Sequence, residues 1–330
     1  MNKARIMTAV RVAVSAALIA WILRKAPLGE VLDAFRSADL RFVLLAVAMS
    51  PLGYVSSVSR WRLLLRSQGG DATFWFLVKS FAVGIFFNNL LPSTIGGDAI
   101  RAYDTSRSGV GRAAAVAIVV VDRFIGLLAL MLFAGVGLLL SYLWSGRLTD
   151  EVPELYGWVA GGAIVLGLIA ALLFLPWSRP SKRAPDLLAR LGPRFKKVSD
   201  AIFAFQGKGA VLAKAFGWSL FLQTVVVLNG WLLAKALHVP IPLPYFFLIV
   251  PIAVFVMMIP VSINAIGVRE NVWAFFFTAF GVASAKGVAV AWLDYGLVLI
   301  HALIGGAIYA WSHRPSKRAP AEPVAEEAVS

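Results

Sequence analysis

NNLLPSTIGGDAIR, residues 88–101, is the stretch whose reading decides the fold. It ends an apolar run that begins near residue 73, and it holds two amides (Asn88, Asn89), a proline (Pro92), a glycine pair (Gly96, Gly97), Asp98 and Arg101. On a soluble surface such residues cost nothing. Within a bilayer, non-helical backbone and charge are tolerated only where protein or water surrounds them, because lipid satisfies neither amides nor carbonyls.

Composition places the chain in a bilayer. Hydrophobic residues make up 60% and charged residues 15%, against about 25% charged in an ordinary soluble domain. A spanning helix needs about 20 mostly apolar residues. Runs near 6–23, 42–59, 113–141, 156–176, 210–235 and 288–311 qualify, and the strict alternation of a membrane barrel is absent. The net charge of +14 does not point to nucleic acid, since the basic residues sit beside apolar spans. No cysteine occurs, which excludes disulfide and thiolate chemistry. Met1–Ala26 has the basic start of a signal peptide, but Arg11 interrupts its centre and Leu23-Arg24-Lys25 offers no small-residue cleavage pattern, so an uncleaved first span is expected.

Cytoplasmic loops are enriched in Lys and Arg. By that rule the start, the Arg60, Arg62, Arg66 segment, the linker 177–208 and the tail lie in the cytoplasm, while 142–155 and 236–244 lie outside. The segment 24–41, with Arg24, Lys25, Arg36 and Arg41, conflicts with this scheme. Six crossings then close only if 73–110 and 244–283 are re-entrant hairpins entering from opposite sides. The expected fold is an all-α polytopic membrane protein with about six full transmembrane helices and two re-entrant helical hairpins, arranged as an inverted repeat, a common transporter plan. Its parts are a first repeat (1–145), a second repeat (146–312) with an interfacial basic linker, and a disordered cytoplasmic tail (313–330). The linker reads as a helix broken near Gly192-Pro193 on the anionic leaflet, or as a solvated basic linker.

The two hairpins agree residue by residue. Pro92 and Pro260 each precede an arginine, Arg101 and Arg269, by the same interval. Gly96-Gly97 lies inside the first interval, Asn264 and Gly267 inside the second, and Asp122 and Asp294 occupy similar places in the spans that follow. A helix starting near Asp98 would aim its first amides, with their partial positive charge, into a cavity. Arg101 would add a bidentate donor matched to phosphate. Asn264, Gly267 and Arg269 would act likewise, with Glu270 as a counter-charge or a contact for a cationic headgroup. Alternatively the prolines and glycines only kink helices, and Asp98 pairs with Arg101 one turn away. Asn88 and Asn89 are tip ligands or helix caps. A charge at a helix centre is costly, so Asp122, Arg123 and Asp294 must face the interior. Asp294 and His301 share a helix face, as a proton-linked or a static pair. Lys79 and Arg11 either line the cavity or reach the membrane surface, and Gly157 with Gly161 makes a small-residue packing pair. Nucleotide and zinc-protease motifs are missing, and His238, His301 and His313 are scattered, so neither metal nor cofactor is expected.

The stretch LLPSTIGGDAIRAYDTSRSGVGRAAAVAIVVVDRFIGL and the later IPVSINAIGVRENVWAFFF resemble the two signatures of the lysylphosphatidylglycerol synthase transmembrane-region family. The resemblance covers residues 5–312, with Asp122 standing where the family has a glutamate. It implies a lipid flippase. The family's best-understood members carry an aminoacyltransferase domain that this sequence lacks, so the synthase activity and the lysyl lipid do not carry over, and no enzyme activity is expected. The expectation is a translocator of a phosphate-containing lipid (phospholipid, aminoacylated phospholipid or polyprenyl-phosphate-linked lipid). It would sit in a bacterial cytoplasmic membrane with both termini inside, partnered by membrane lipids, with a separate lipid-modifying enzyme or a second copy as further partners. The competing readings are a membrane-embedded lipid-headgroup transferase and a non-transporting partner subunit.

Overall fold

The computed structural model describes residues 3–90, 95–144, 157, 161–162, 164, 200–259 and 261–312. The described residues are helical, with turns between. The elements are α1 (Lys3–Lys25), α2 (Leu28–Arg36), α3 (Leu40–Ser67), α4 (Phe74–Leu90), α5 (Ile95–Ser106), α6 (Arg112–Trp144), α7 (Gly209–Ala236), α8 (Leu243–Met257), a 3-10 turn (Ile263–Ala265), α9 (Val268–Ala279) and α10 (Ser284–Ser312).

Four helices, α3, α6, α7 and α10, are long and apolar enough to cross a membrane, and α1 with α2 forms a further candidate bent by 74°. The expected span 156–176, nearly all of the linker 177–208 and the tail 313–330 lie outside the described residues. Gly157 and Gly161 meet no described neighbour within 4 Å. Leu44, Leu139, Leu303 and Trp311 are exposed, a placement that suits lipid rather than water.

The contested segment 24–41 folds as α2, a short amphipathic helix that buries Val31 and Ala34 and packs on α10, with Phe35 stacked on Trp292 at 6.2 Å. Arg36 there pairs with Asp33 at 3.2 Å. α3 begins at Asp39, whose carboxylate accepts the Arg41 amide at 2.9 Å, the usual satisfaction of an orphan N-terminal donor. At its other end the Lys208 ammonium donates to the Ser67 carbonyl, a cation placed where the helix dipole is negative. α3 extends well past the expected boundary at residue 59, so Arg60 lies inside the protein instead of in a basic loop.

Helix packing exchanges partners between the two halves of the chain. α3 lies along α7, α4 along α10, and α8 along α6. Gly305 of α10 lets the backbone of α4 at Ala82 approach, and Gly137 of α6 does the same for α8 at Phe247 and Leu248; a Cβ at either would collide with main chain. Across α3 and α7, Arg60 donates to Ser219 at 2.5 Å while Asn229 donates to Ser50 at 3.5 Å. The spacing from Ser50 to Ser219 equals that from Arg60 to Asn229, so the two contacts are exchanged counterparts.

α4 and α5 form one helical hairpin, and α8 and α9 a second. In the first, Gly97 packs against Gly84 so closely that a side chain at Gly97 would strike the Gly84 carbonyl and Asn88. In the second, Gly267 has φ of 84° and sits against Leu18 and Ser15 of α1. Glycine adopts that backbone without the penalty of a Cβ.

Candidate functional site

The two hairpins touch where Asn264 Nδ2, in the turn before α9, donates to the Asn89 carbonyl near the end of α4 at 2.8 Å. Asn264 and Ala265 both hold left-handed backbone, φ 49° and 56°, a conformation that costs a non-glycine residue free energy. Part of what holds this turn is α1, since the Ser15 hydroxyl accepts the Ile263 amide at 3.1 Å. Pro92 and Pro260 fall outside the described residues.

A cavity of about 420 Å³ opens between the tips, lined by Asn88, Asn89, Arg123, Asn264 and Arg269 together with Tyr54 and Met257. A second, of about 220 Å³, holds Arg60, Gly97, Asp98, Arg101, Asp122 and Arg123. Phe81, Ile85, Asn88 and Arg123 line both, so they form the partition between them.

The smaller cavity is built from ion pairs. Asp122 is buried and accepts from Arg60 Nε at 2.6 Å and from Arg101 Nη2 at 3.0 Å. Asp98 pairs with Arg123 at 2.8 Å and lies 3.9 Å from Arg101. The expected one-turn pair of Asp98 with Arg101 is therefore the longest contact of the set. Each arginine instead finds its nearest carboxylate on another helix. Three guanidinium groups face two carboxylates, which leaves one positive charge. Arg101 stacks over Trp61 at 4.8 Å and Phe81 at 5.6 Å, and its buried Nε has no hydrogen-bond partner among the described residues.

α5 starts at Ile95, earlier than expected, and Asn88 Oδ1 takes the Gly97 amide at 2.7 Å. Asn88 thus caps α5 and lines the cavities at once, whereas the Asn89 side chain turns back to the Ile85 carbonyl at 2.9 Å. Gly96 faces away, into a groove on the far side of the hairpin.

At the second tip, Glu270 is buried and its Oε2 accepts the Gly267 amide at 2.8 Å. Its carboxylate is committed to the start of α9, the reciprocal half of a capping box. Arg269 lies over the Tyr295 ring at 4.4 Å, and its Nε approaches Met257 Sδ at 3.2 Å. Among the described residues it makes no ion pair, and its buried Nη1 has no hydrogen-bond partner. Asp294 is half-buried and feels the charge of Arg269 without contacting it. His301 does not join Asp294 by any hydrogen bond among the described residues; its Nδ1 lies 2.6 Å from the Leu297 carbonyl and its ring packs edge-on to Tyr54 at 4.5 Å. Two helical turns separate Asp294 and His301 by about 10 Å along the axis, too far for contact.

Sequence reasoning missed Arg60, Tyr54 and Tyr295. Arg60 carried one signal, its place beside Gly53, Ser56 and Ser57 on the face of α3 that meets α7.

Residues 8–306 match the family described as the lysylphosphatidylglycerol synthase transmembrane region. A UPF0104 membrane protein of Pyrococcus horikoshii is 25% identical over 299 residues, covering 82% of this chain and 87% of that protein. One from Methanocaldococcus jannaschii is 24% identical over 282 residues, covering 81% of this chain and 83% of its own length. One from Methanothermobacter thermautotrophicus is 37% identical over 109 residues, covering 32% of each. Both hairpins and the arginine cluster of α3, α5 and α6 lie inside the matched range, and the chain belongs to the lysylphosphatidylglycerol synthase transmembrane-region family.

Proposed function

We propose that this protein is a lipid translocator, carrying a phosphate-containing lipid between the leaflets of the cytoplasmic membrane, with both termini on the cytoplasmic side. The observation that carries the reading is Arg269, a buried arginine on the wall of the cavity between the tips. It has no ion pair, and one guanidinium nitrogen has no hydrogen-bond partner among the described residues. A buried donor without a partner is expensive. A guanidinium suits bidentate contact with a phosphate or carboxylate, and the surplus positive charge of the neighbouring cluster favours an anion in the same space.

The hairpins fit this role as re-entrant elements. α5 and α9, each of 12 residues, reach about 18 Å, well short of the roughly 30 Å hydrocarbon core. The exchanged packing of α4 on α10 and α8 on α6 supports two halves related as an inverted repeat, which would rock about the central site to open it to each leaflet in turn. In that cycle the Asn264 to Asn89 hydrogen bond is the contact between tips that must break. A transferase is the weaker reading. Of the carboxylates that could act as its base, Asp98, Asp122 and Glu270 are occupied by Arg123, by Arg60 with Arg101, and by the Gly267 amide, and Asp294 is not among the residues that line the cavity between the tips.

The test is mass spectrometry of lipids that co-purify in mild detergent with the wild type and with Arg269→Ala. The proposal expects one phosphate-bearing lipid class enriched on the wild type and lost from the variant. Equal enrichment on both proteins, with the variant folded, would remove Arg269 from the site.

A further inference from the structure

The hairpin of α4 and α5 has a second face, turned away from the central cavity. There a groove of about 650 Å³ runs between the hairpin and the end of α10. Lys79 and Arg107 stand at its polar end, both exposed and both without an ion pair among the described residues. The carboxylate in the groove, Asp104, is held by the Ser80 hydroxyl at 2.5 Å. Arg107 instead lies over the Tyr103 ring at 5.7 Å. Farther along α4 the lining becomes apolar, with Val83, Phe87 and Ile100, and Gly96 and Ala99 keep its floor low.

The groove has the dimensions and polarity of one lipid in one leaflet. From Phe76 to Phe87 the α4 backbone rises about 16 Å, close to half of the roughly 30 Å hydrocarbon core. Trp75 and Trp311 are exposed at the same end as the two cations, where α4 begins and α10 finishes. Tryptophan at that level marks a membrane interface. Lys and Arg at an interface attract anionic headgroups.

We propose that this groove is a binding site for an anionic phospholipid of the cytoplasmic leaflet. The phosphate is gripped by Lys79 and Arg107, and an acyl chain lies along Val83, Phe87 and Ile100. The site lies on the opposite face of the hairpin from Gly97 and Asp98, and its occupancy does not depend on translocation. The bound lipid would brace the hairpin that carries Arg101.

Native mass spectrometry of the purified protein titrated with phosphatidylglycerol or phosphatidylcholine tests it. The wild type is expected to bind phosphatidylglycerol in preference. Lys79→Ala/Arg107→Ala weakens that binding by roughly fivefold for each cation removed, and Lys79→Glu/Arg107→Glu abolishes the preference. Ala99→Trp fills the floor and causes a comparable loss with both cations in place. These losses persist in an Arg269→Ala background, which separates the groove from the central cavity. Full binding by Ala99→Trp would reduce the effect to surface charge and overturn the site. Disappearance of the losses in the Arg269→Ala background would overturn it too, by assigning the lipid to the cavity between the tips.

Discussion

Asp122 and Asp294 occupy corresponding places in the two halves, and their neutralisation should have very different consequences. Asp122→Asn keeps the side-chain volume but removes the charge that holds Arg60 at 2.6 Å and Arg101 at 3.0 Å. Both arginines are buried, and Asp98, already paired with Arg123, lies no closer than 3.9 Å to Arg101. Breaking a buried ion pair from one side costs about 3–5 kcal/mol, because a charge is left without compensation. At roughly 2 °C per kcal/mol for a chain of this size, the melting temperature in detergent should fall by about 6–10 °C. Asp294 accepts no hydrogen bond and joins no ion pair among the described residues, so Asp294→Asn should cost less than about 1 kcal/mol. Arg60→Ala added to Asp122→Asn should cost far less than it does alone, since the pair is already broken. Tryptophan fluorescence during thermal unfolding reads the wild type and all four variants. Equal shifts for the two Asp→Asn variants would refute the claim that the arginine cluster is organised around Asp122.

The remaining predictions use separate features. Gly305→Ala should destabilise by about 1–3 kcal/mol by overpacking, because its new Cβ meets the Ala82 main chain, whereas Gly217→Ala, with open space around it, should be neutral or stabilising in the same melting assay. Asn89→Cys/Asn264→Cys, made in a chain with no native cysteine, should be bridged by a short bifunctional thiol reagent, since the two residues adjoin, and the bridge should arrest any leaflet exchange; continued exchange in the cross-linked protein would show that the tips need not separate. In the turn after α3, the Arg66 guanidinium beside Asp71 holds that carboxyl below its ordinary value. The pair's contribution is therefore present at neutral pH and lost as pH falls through that lowered value. Carboxyl NMR should find Asp71 titrating below about 3.9, rising toward it in Arg66→Ala or high salt.

Much of the architecture is legible in the sequence because apolar length is a strong signal. Four of the expected spans reappear as α3, α6, α7 and α10. The matched intervals from Pro92 to Arg101 and from Pro260 to Arg269 fall where α4 gives way to α5 and α8 to α9, although proline alone was no guide, since Pro51 and Pro251 sit inside α3 and α8. Partnership was harder to read. Arg60 belongs to a run with Arg62 and Arg66 that looks like an interfacial anchor, and its partner Asp122 is 62 positions away. The pair exists because α3 and α6 pack together. Asp98 offered Arg101 as a neighbour at one-turn spacing, but the folded hairpin brings Arg123 closer. Glu270 admits two readings. Its spacing from Gly267 is that of a helix cap, and as a lone acidic residue at a tip it reads as a ligand.

Leaflet exchange of a fluorescent phospholipid in liposomes, followed by dithionite quenching, tests the central claim most directly. The account predicts exchange by the wild-type protein that falls at least tenfold in Arg269→Ala, with Arg269→Lys intermediate because it keeps the charge and loses the fork. Wild-type rates in an Arg269→Ala protein of unchanged melting temperature, or no exchange above protein-free liposomes with any phosphate-bearing lipid, would contradict it.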